Sequence, residues 1–155
     1  MQDLEFLKTE KITHILNCTQ EVELPKNVEA YIKGFQRISI QDKANEDLLA
    51  VIFKGIIWID EVLSNEKNII LIHCREGKSR SASFLCGYLI WKENIAFESA
   101  LSAVRSRRTV AMPNPKFFKQ LEEFSAIVIK EQELPAEKRT FPPSKYDFKL
   151  MPVKQ

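Results

Sequence analysis

With 155 residues, 45% of them hydrophobic and 28% charged, the chain has the makeup of one globular domain long enough to bury a core. A formal net charge of +2 says little about partners, the lack of a long basic block argues against nucleic acid, and no apolar run reaches membrane-spanning length. The start of the chain lacks a signal peptide's basic-then-apolar pattern. The odd count of 3 cysteines argues against a disulfide framework, so cytosol or nucleus is the expected location.

Taken in chain order, Asp3 to Glu10 carries Leu4 and Leu7 at helical spacing and predicts a short helix. Thr13 to Cys18 and Phe35 to Ile40 read as strands. Asn45-Glu46-Asp47 supplies helix-start residues ahead of an apolar-rich segment to Leu63, in which Leu48, Ile52, Ile56, Ile59 and Leu63 form one stripe widened by Trp58 and Val62. Ile69 to Ile72 is a continuous apolar run, as in a buried parallel strand, and a helix is expected from about 80 to 92. Ala96 to Arg107 aligns Phe97, Ala100, Leu101 and Val104. Pro115 to Ile129 does the same with Phe117, Leu121, Phe124 and Val128. Such stripes are core faces. Strands alternating with helices predict an α/β domain whose largely parallel sheet is flanked by helices on both faces. Ligands in such folds sit beyond the carboxyl ends of the strands. From residue 131 onward charge and proline dominate, so residues 1–130 read as the domain and 131–155 as a tail. Its Phe141, Tyr146 and Phe148 are candidates to pack back.

The run His73-Cys74-Arg75-Glu76-Gly77-Lys78-Ser79-Arg80-Ser81 lies between the predicted strand and the buried helix. A strand, a tight loop and a helix N-terminus form an anion site, because the loop N–H groups converge and the helix dipole favours negative charge there. That field lowers the pKa of a cysteine at its focus, so Cys74 is expected to be a thiolate near neutral pH. Arg80 offers a planar fork that holds two phosphate oxygens at once. A thiolate beneath a bound phosphate, with such an arginine beside it, is suited to attack phosphorus. Two rival readings fail on spacing. Gly77-Lys78-Ser79 imitates the end of a Walker loop, but that motif needs glycine where Ile72 stands. Zinc would need a closer cysteine pair than Cys18, Cys74 and Cys86 provide.

This run, with its pattern His-Cys-x-x-Gly-x-Ser-Arg-Ser, resembles the signature loop of cysteine-dependent phosphatases of the dual-specificity type. The resemblance extends from Ile12-Thr13-His14-Ile15-Leu16-Asn17 to Arg107-Arg108-Thr109-Val110, Pro113-Asn114-Pro115 and Gln120 to Phe124, where it is similar to the slingshot and MAP-kinase phosphatase groups. It implies a dual-specificity phosphatase fold and a phosphorylated protein as substrate. It further implies hydrolysis of phosphotyrosine and phosphoserine/threonine through a cysteinyl-phosphate, with no metal and no cofactor. A phosphoinositide substrate and a phosphopeptide-binding pseudophosphatase are the alternatives. The family's usual upstream strand and turn would lie ahead of Gln2.

Carried over residue by residue, the resemblance makes Cys74 the nucleophile and Arg80 the phosphate clamp. Arg75, Glu76, Gly77, Lys78, Ser79 and Arg80 form the phosphate cradle, with Arg75, Glu76 and Lys78 also influencing substrate choice. Asp42, after Ile38-Ser39-Ile40-Gln41, becomes the general acid, while its rival Asp47 reads better as a helix cap. Ser81 would help the cysteine leave, or cap the helix, or both. His73 would hold the loop by hydrogen bonds, and Asn114 would brace it or simply serve a Pro-Asn-Pro turn. Arg105, Arg107 and Arg108 read as helix-end cations or as a basic rim. Cys18 would capture an oxidised Cys74 as a disulfide, or merely fill a strand position.

Overall fold

The computed structural model describes residues 3–140. Helix α1 (Leu4–Thr9) opens the chain, its N-terminus capped by the Asp3 carboxylate, which accepts from the N–H of Glu5. Strand β1 (His14–Asn17), a one-turn helix α2 (Lys26–Glu29) and strand β2 (Gly34–Arg37) follow. Then come α3 (Ile52–Leu63), β3 (Ile70–His73), α4 (Arg80–Glu93), α5 (Phe97–Arg107) and α6 (Pro115–Gln132).

The strands form a parallel sheet in the order β2-β1-β3, with His14 opposite both Gly34 and Ile70 and Asn17 opposite both Arg37 and His73. All three strands therefore end at one edge, where the loops after Asn17, Arg37 and His73 meet. Side chains alternate across the pleat. Ile15, Phe35 and Leu71 face a small cluster with Leu7 of α1 and Val28 of α2. Leu16, Ile70 and Ile72 face the main core built on α3 to α6. The sheet is thus covered on both sides, as predicted.

Helix α4 is the hub of that core, with Phe84, Tyr88 and Ile90 fully buried. It crosses α3 closely because Gly87 has no side chain: a Cβ there would lie 2.5 Å from Ile52 Cδ1. A buried ion pair, Lys92 Nζ to Asp60 Oδ1 at 3.4 Å, also joins the two helices. Among the described residues no helix is long and apolar enough to cross a membrane.

Two expectations are corrected, and one element was not foreseen. The helix predicted from Asn45 begins at Ile52. Leu48 is buried in the core and its N–H is taken by the Gln120 side chain at 3.0 Å, so the chain enters by turns before the helix can start. The strand predicted to Ile40 leaves the ladder after Arg37, although Ile38 and Ile40 remain buried. Helix α2 has no counterpart in the apolar patterning, its single buried residue being Val28. Past α6 the chain makes a 3-10 turn (Ala136–Lys138), and Thr140 bonds back to Glu131 at 2.7 and 2.8 Å. The tail residues Phe141, Tyr146 and Phe148 lie outside the described residues.

Candidate active site

The Cys74 loop leaves β3 and turns into α4. Gly77, at φ 64°, occupies the left-handed region that other residues adopt only with strain, and this turn faces the loop amides inward. The loop carbonyls are held on the outside. Arg108 donates from Nε to the Gly77 carbonyl at 2.7 Å and from Nη2 to the Glu76 carbonyl at 3.0 Å. The N–H of Met112 reaches the Lys78 carbonyl at 2.7 Å. Ser79 is the residue at the helix N-cap position, and its hydroxyl accepts from the Asn114 N–H at 2.9 Å rather than capping α4.

With the carbonyls turned out, the donors converge on sulfur. Cys74 Sγ lies 3.2 Å from Ser81 Oγ. Burial pushes the Cys74 thiol up. The Ser81 hydroxyl and the N–H groups of Ser81, Gly77 and Lys78 more than offset it, leaving the pKa lowered. Ser81 lies inside α4, not at its cap, so its hydroxyl is directed to the sulfur. His73 Nδ1 sits 3.3 Å from the Cys74 carbonyl oxygen, and burial lowers the pKa of its imidazole. A neutral ring that donates this bond helps hold the loop. Arg75, Glu76 and Lys78 are exposed.

Arg80 is buried and anchored from two other loops. Its Nη1 donates to the Ile40 carbonyl at 3.1 Å, and Nη1 and Nη2 grip the Glu21 carboxylate at 3.2 and 2.7 Å. The guanidinium holds Glu21 well below the usual carboxylate range, at about 2. Glu21 was not among the residues singled out from the sequence. The signal that would have found it is its place in the loop after β1, beside the strand that carries Cys74.

Asp42 is exposed on the loop after Ile40, where it contributes electrostatically to the charged state of Arg80. Asn114 ties this loop to the rest of the site. Its Nδ2 donates to Asp42 Oδ1 at 2.7 Å, its Oδ1 caps α6 by accepting from the Phe117 N–H, and its own N–H reaches Ser79. The turn reading and the bracing reading of Asn114 thus meet in one residue. Asp47 accepts from the Ala50 N–H at 3.2 Å and caps the turn ahead of α3. Cys18 is buried beside the loop, its N–H bonded to the His73 carbonyl at 2.9 Å. Burial pushes the Cys18 thiol well up, and the neighbouring Cys74 adds to this. Cys86 is buried within α4 and is pushed up to about 12. Arg105 and Arg107 are exposed at the end of α5, whereas Arg108 is engaged by the loop.

The family profile for the dual specificity phosphatase catalytic domain matches residues 1–127, so the chain belongs to that family. Mouse dual specificity protein phosphatase 19 is 34% identical over 124 residues, covering 79% of this chain and 54% of the mouse protein. Human protein phosphatase Slingshot homolog 2 is 31% identical over 131 residues, covering 84% of this chain and 9% of the human protein. The chain therefore spans about half of the first relative and a small part of the second. The crystal structure of human DUSP28 superposes with a TM-score of 0.70 at 26% identity, covering 79% of this chain and 80% of that one.

Proposed function

We propose that this domain is a phosphoprotein phosphatase of the dual-specificity type, acting through a cysteinyl-phosphate without a metal. The observation that carries the reading is the convergence of the loop N–H groups and the Ser81 hydroxyl on Cys74, with the Arg80 fork beside it. The Cys74 thiolate attacks phosphorus and forms the S–P bond. The P–O bond to the substrate breaks, and the departing oxygen takes the Asp42 proton. Water then attacks the phosphocysteine and gives its proton to the Asp42 carboxylate. The S–P bond breaks and inorganic phosphate leaves, while the Ser81 hydroxyl stabilises the returning thiolate. Arg80 and the inward N–H groups of the 75–80 loop stabilise the charge on the transferring phosphoryl group throughout.

The substrate belongs to the same proposal. Exposed Glu76 on the loop weighs against polyphosphorylated ligands, which favours a phosphorylated protein over a phosphoinositide. Turnover of a panel of phosphotyrosine, phosphothreonine and phosphoserine peptides and of phosphoinositides, with and without chelator, tests both parts. Peptide turnover that persists in chelator is expected. Activity confined to the lipids, or lost with the chelator, overturns it.

A reducing compartment and a redox role for Cys18 complete the reading. Peroxide converts the Cys74 thiolate to a sulfenic acid, and the Cys18 thiol displaces water from it to form a disulfide. Mass spectrometry of peroxide-treated protein should find a Cys18–Cys74 linked peptide that thiol reductant removes. Recovery of Cys74 only as sulfinic or sulfonic acid would eliminate the pairing.

A further inference from the structure

The Glu21 carboxylate occupies one end of the guanidinium that the proposed mechanism assigns to phosphate, so it either competes with phosphate or aims the arginine. Counting donors decides between these. A guanidinium carries five N–H groups in a fixed plane. Glu21 accepts one from each terminal nitrogen, and the Ile40 carbonyl accepts the second from Nη1. The pair left over is the Nε–H and the neighbouring Nη2–H, which are parallel and coplanar. Among the described residues neither has an acceptor, and together they form a fork matched to two oxygens of one phosphoryl group.

Glu21 is itself held firmly. Arg37 donates to the carbonyls of Thr19 at 2.8 Å, Gln20 at 3.3 Å and Val22 at 2.9 Å. Asn17 Nδ2 also reaches the Val22 carbonyl at 2.8 Å, and the Thr19 hydroxyl accepts from the Val22 N–H at 3.0 Å. Bonds on both sides of Glu21 thus fix its backbone to the sheet edge. The Gln20 side chain accepts from Gln41 Nε2 at 2.8 Å, one residue before Asp42. One bracket therefore spans the loop after β1, the clamp arginine and the segment bearing the proposed acid.

We propose that Glu21 is a positioning residue: it engages the far end of Arg80, so that the Nε and Nη2 edge is presented ready-made to the phosphoryl oxygens. The inference rests on the phosphatase reading for the identity of the anion. A clamp without this partner would sample other rotamers and lose its orientation between turnovers. Glu21 is ionised throughout the working pH range and adds no limb of its own to the pH–rate profile.

The test is tungstate binding by calorimetry, together with kcat/KM on an aryl phosphate. It uses Glu21→Ala and Glu21→Gln, each alone and combined with Arg80→Lys. Glu21→Ala should weaken tungstate and lower kcat/KM by about 10- to 100-fold, the scale of one lost charge-assisted hydrogen bond. Glu21→Gln, which retains one acceptor, should lose less. In the Arg80→Lys background the Glu21→Ala change should cost less than about twofold, because the fork it aims is gone. Unchanged or tighter tungstate binding by Glu21→Ala would make Glu21 a bystander or a competitor and overturn the proposal. An undiminished loss in the Arg80→Lys background would do the same, by assigning the effect to the loop and not the fork. If the wild type binds tungstate yet turns over no phosphoester, the phosphatase reading fails while the tungstate arm still decides the role of Glu21.

Discussion

Replacing Cys74 by serine is expected to abolish turnover while leaving tungstate binding within a few fold of the wild type. The cradle is made of backbone N–H groups whose carbonyl partners are fixed from outside by Arg108 and Met112, and Arg80 is fixed by Glu21 and Ile40. None of these depends on sulfur. A hydroxyl at its ordinary pKa is a weak nucleophile, and the donors around Cys74 cannot bring it into the range where an anion forms. The same donors predict how the wild-type thiol titrates. Alkylation by iodoacetate follows the thiolate fraction, so its midpoint should lie below that of an ordinary cysteine. Ser81→Ala removes a group that lowers the Cys74 pKa, so the midpoint should rise and alkylation at acidic pH should slow. Turnover by Cys74→Ser near the wild-type rate would remove the nucleophile assignment. A midpoint that Ser81→Ala leaves in place would deny Ser81 its part.

Asp42→Ala is expected to lower the rate about 10²- to 10⁴-fold on a substrate whose leaving group must be protonated, the range a positioned general acid supplies. The loss should shrink on an activated aryl phosphate, whose phenolate departs without help. Asn114→Ala should show a smaller version of the same leaving-group dependence, because Asn114 holds the carboxyl but transfers no proton. It should also lose about 1 kcal/mol of stability with the α6 cap. Asp47→Ala serves as the control, its carboxylate being committed to the Ala50 N–H. A leaving-group-dependent loss in Asp47→Ala, with none in Asp42→Ala, would reverse the assignment.

Features carried by contiguous residues were legible before the fold was known. Cys74, Arg80 and Ser81 lie in one run, and the convergence of loop amides is a local consequence of a strand, a Gly77 turn and a helix N-terminus. The stripes of α5 and α6 appeared as core faces because helical periodicity is likewise local, and the bounds of α4, α5 and α6 fell close to those expected. The start of α3 was misplaced for the opposite reason. Leu48 belongs to the apolar stripe, but its N–H is taken by Gln120 on a helix far along the chain, and no local pattern records that bond.

Composition and order alone thus determined an α/β domain, its core faces and the loop that bears the thiol. Only the tertiary structure decided what surrounds that loop. It set Glu21 against Arg80, Arg108 against the carbonyls of Glu76 and Gly77, and Asn114 between Asp42 and Ser79. Each of these pairs joins residues at least thirty positions apart. Their meeting depends on parallel strands β1 and β3 ending side by side and on α5 and α6 packing over α4. Glutamate, arginine and asparagine are ordinary surface residues in any sequence. They become a site only where long-range packing brings their donors and acceptors within hydrogen-bond distance.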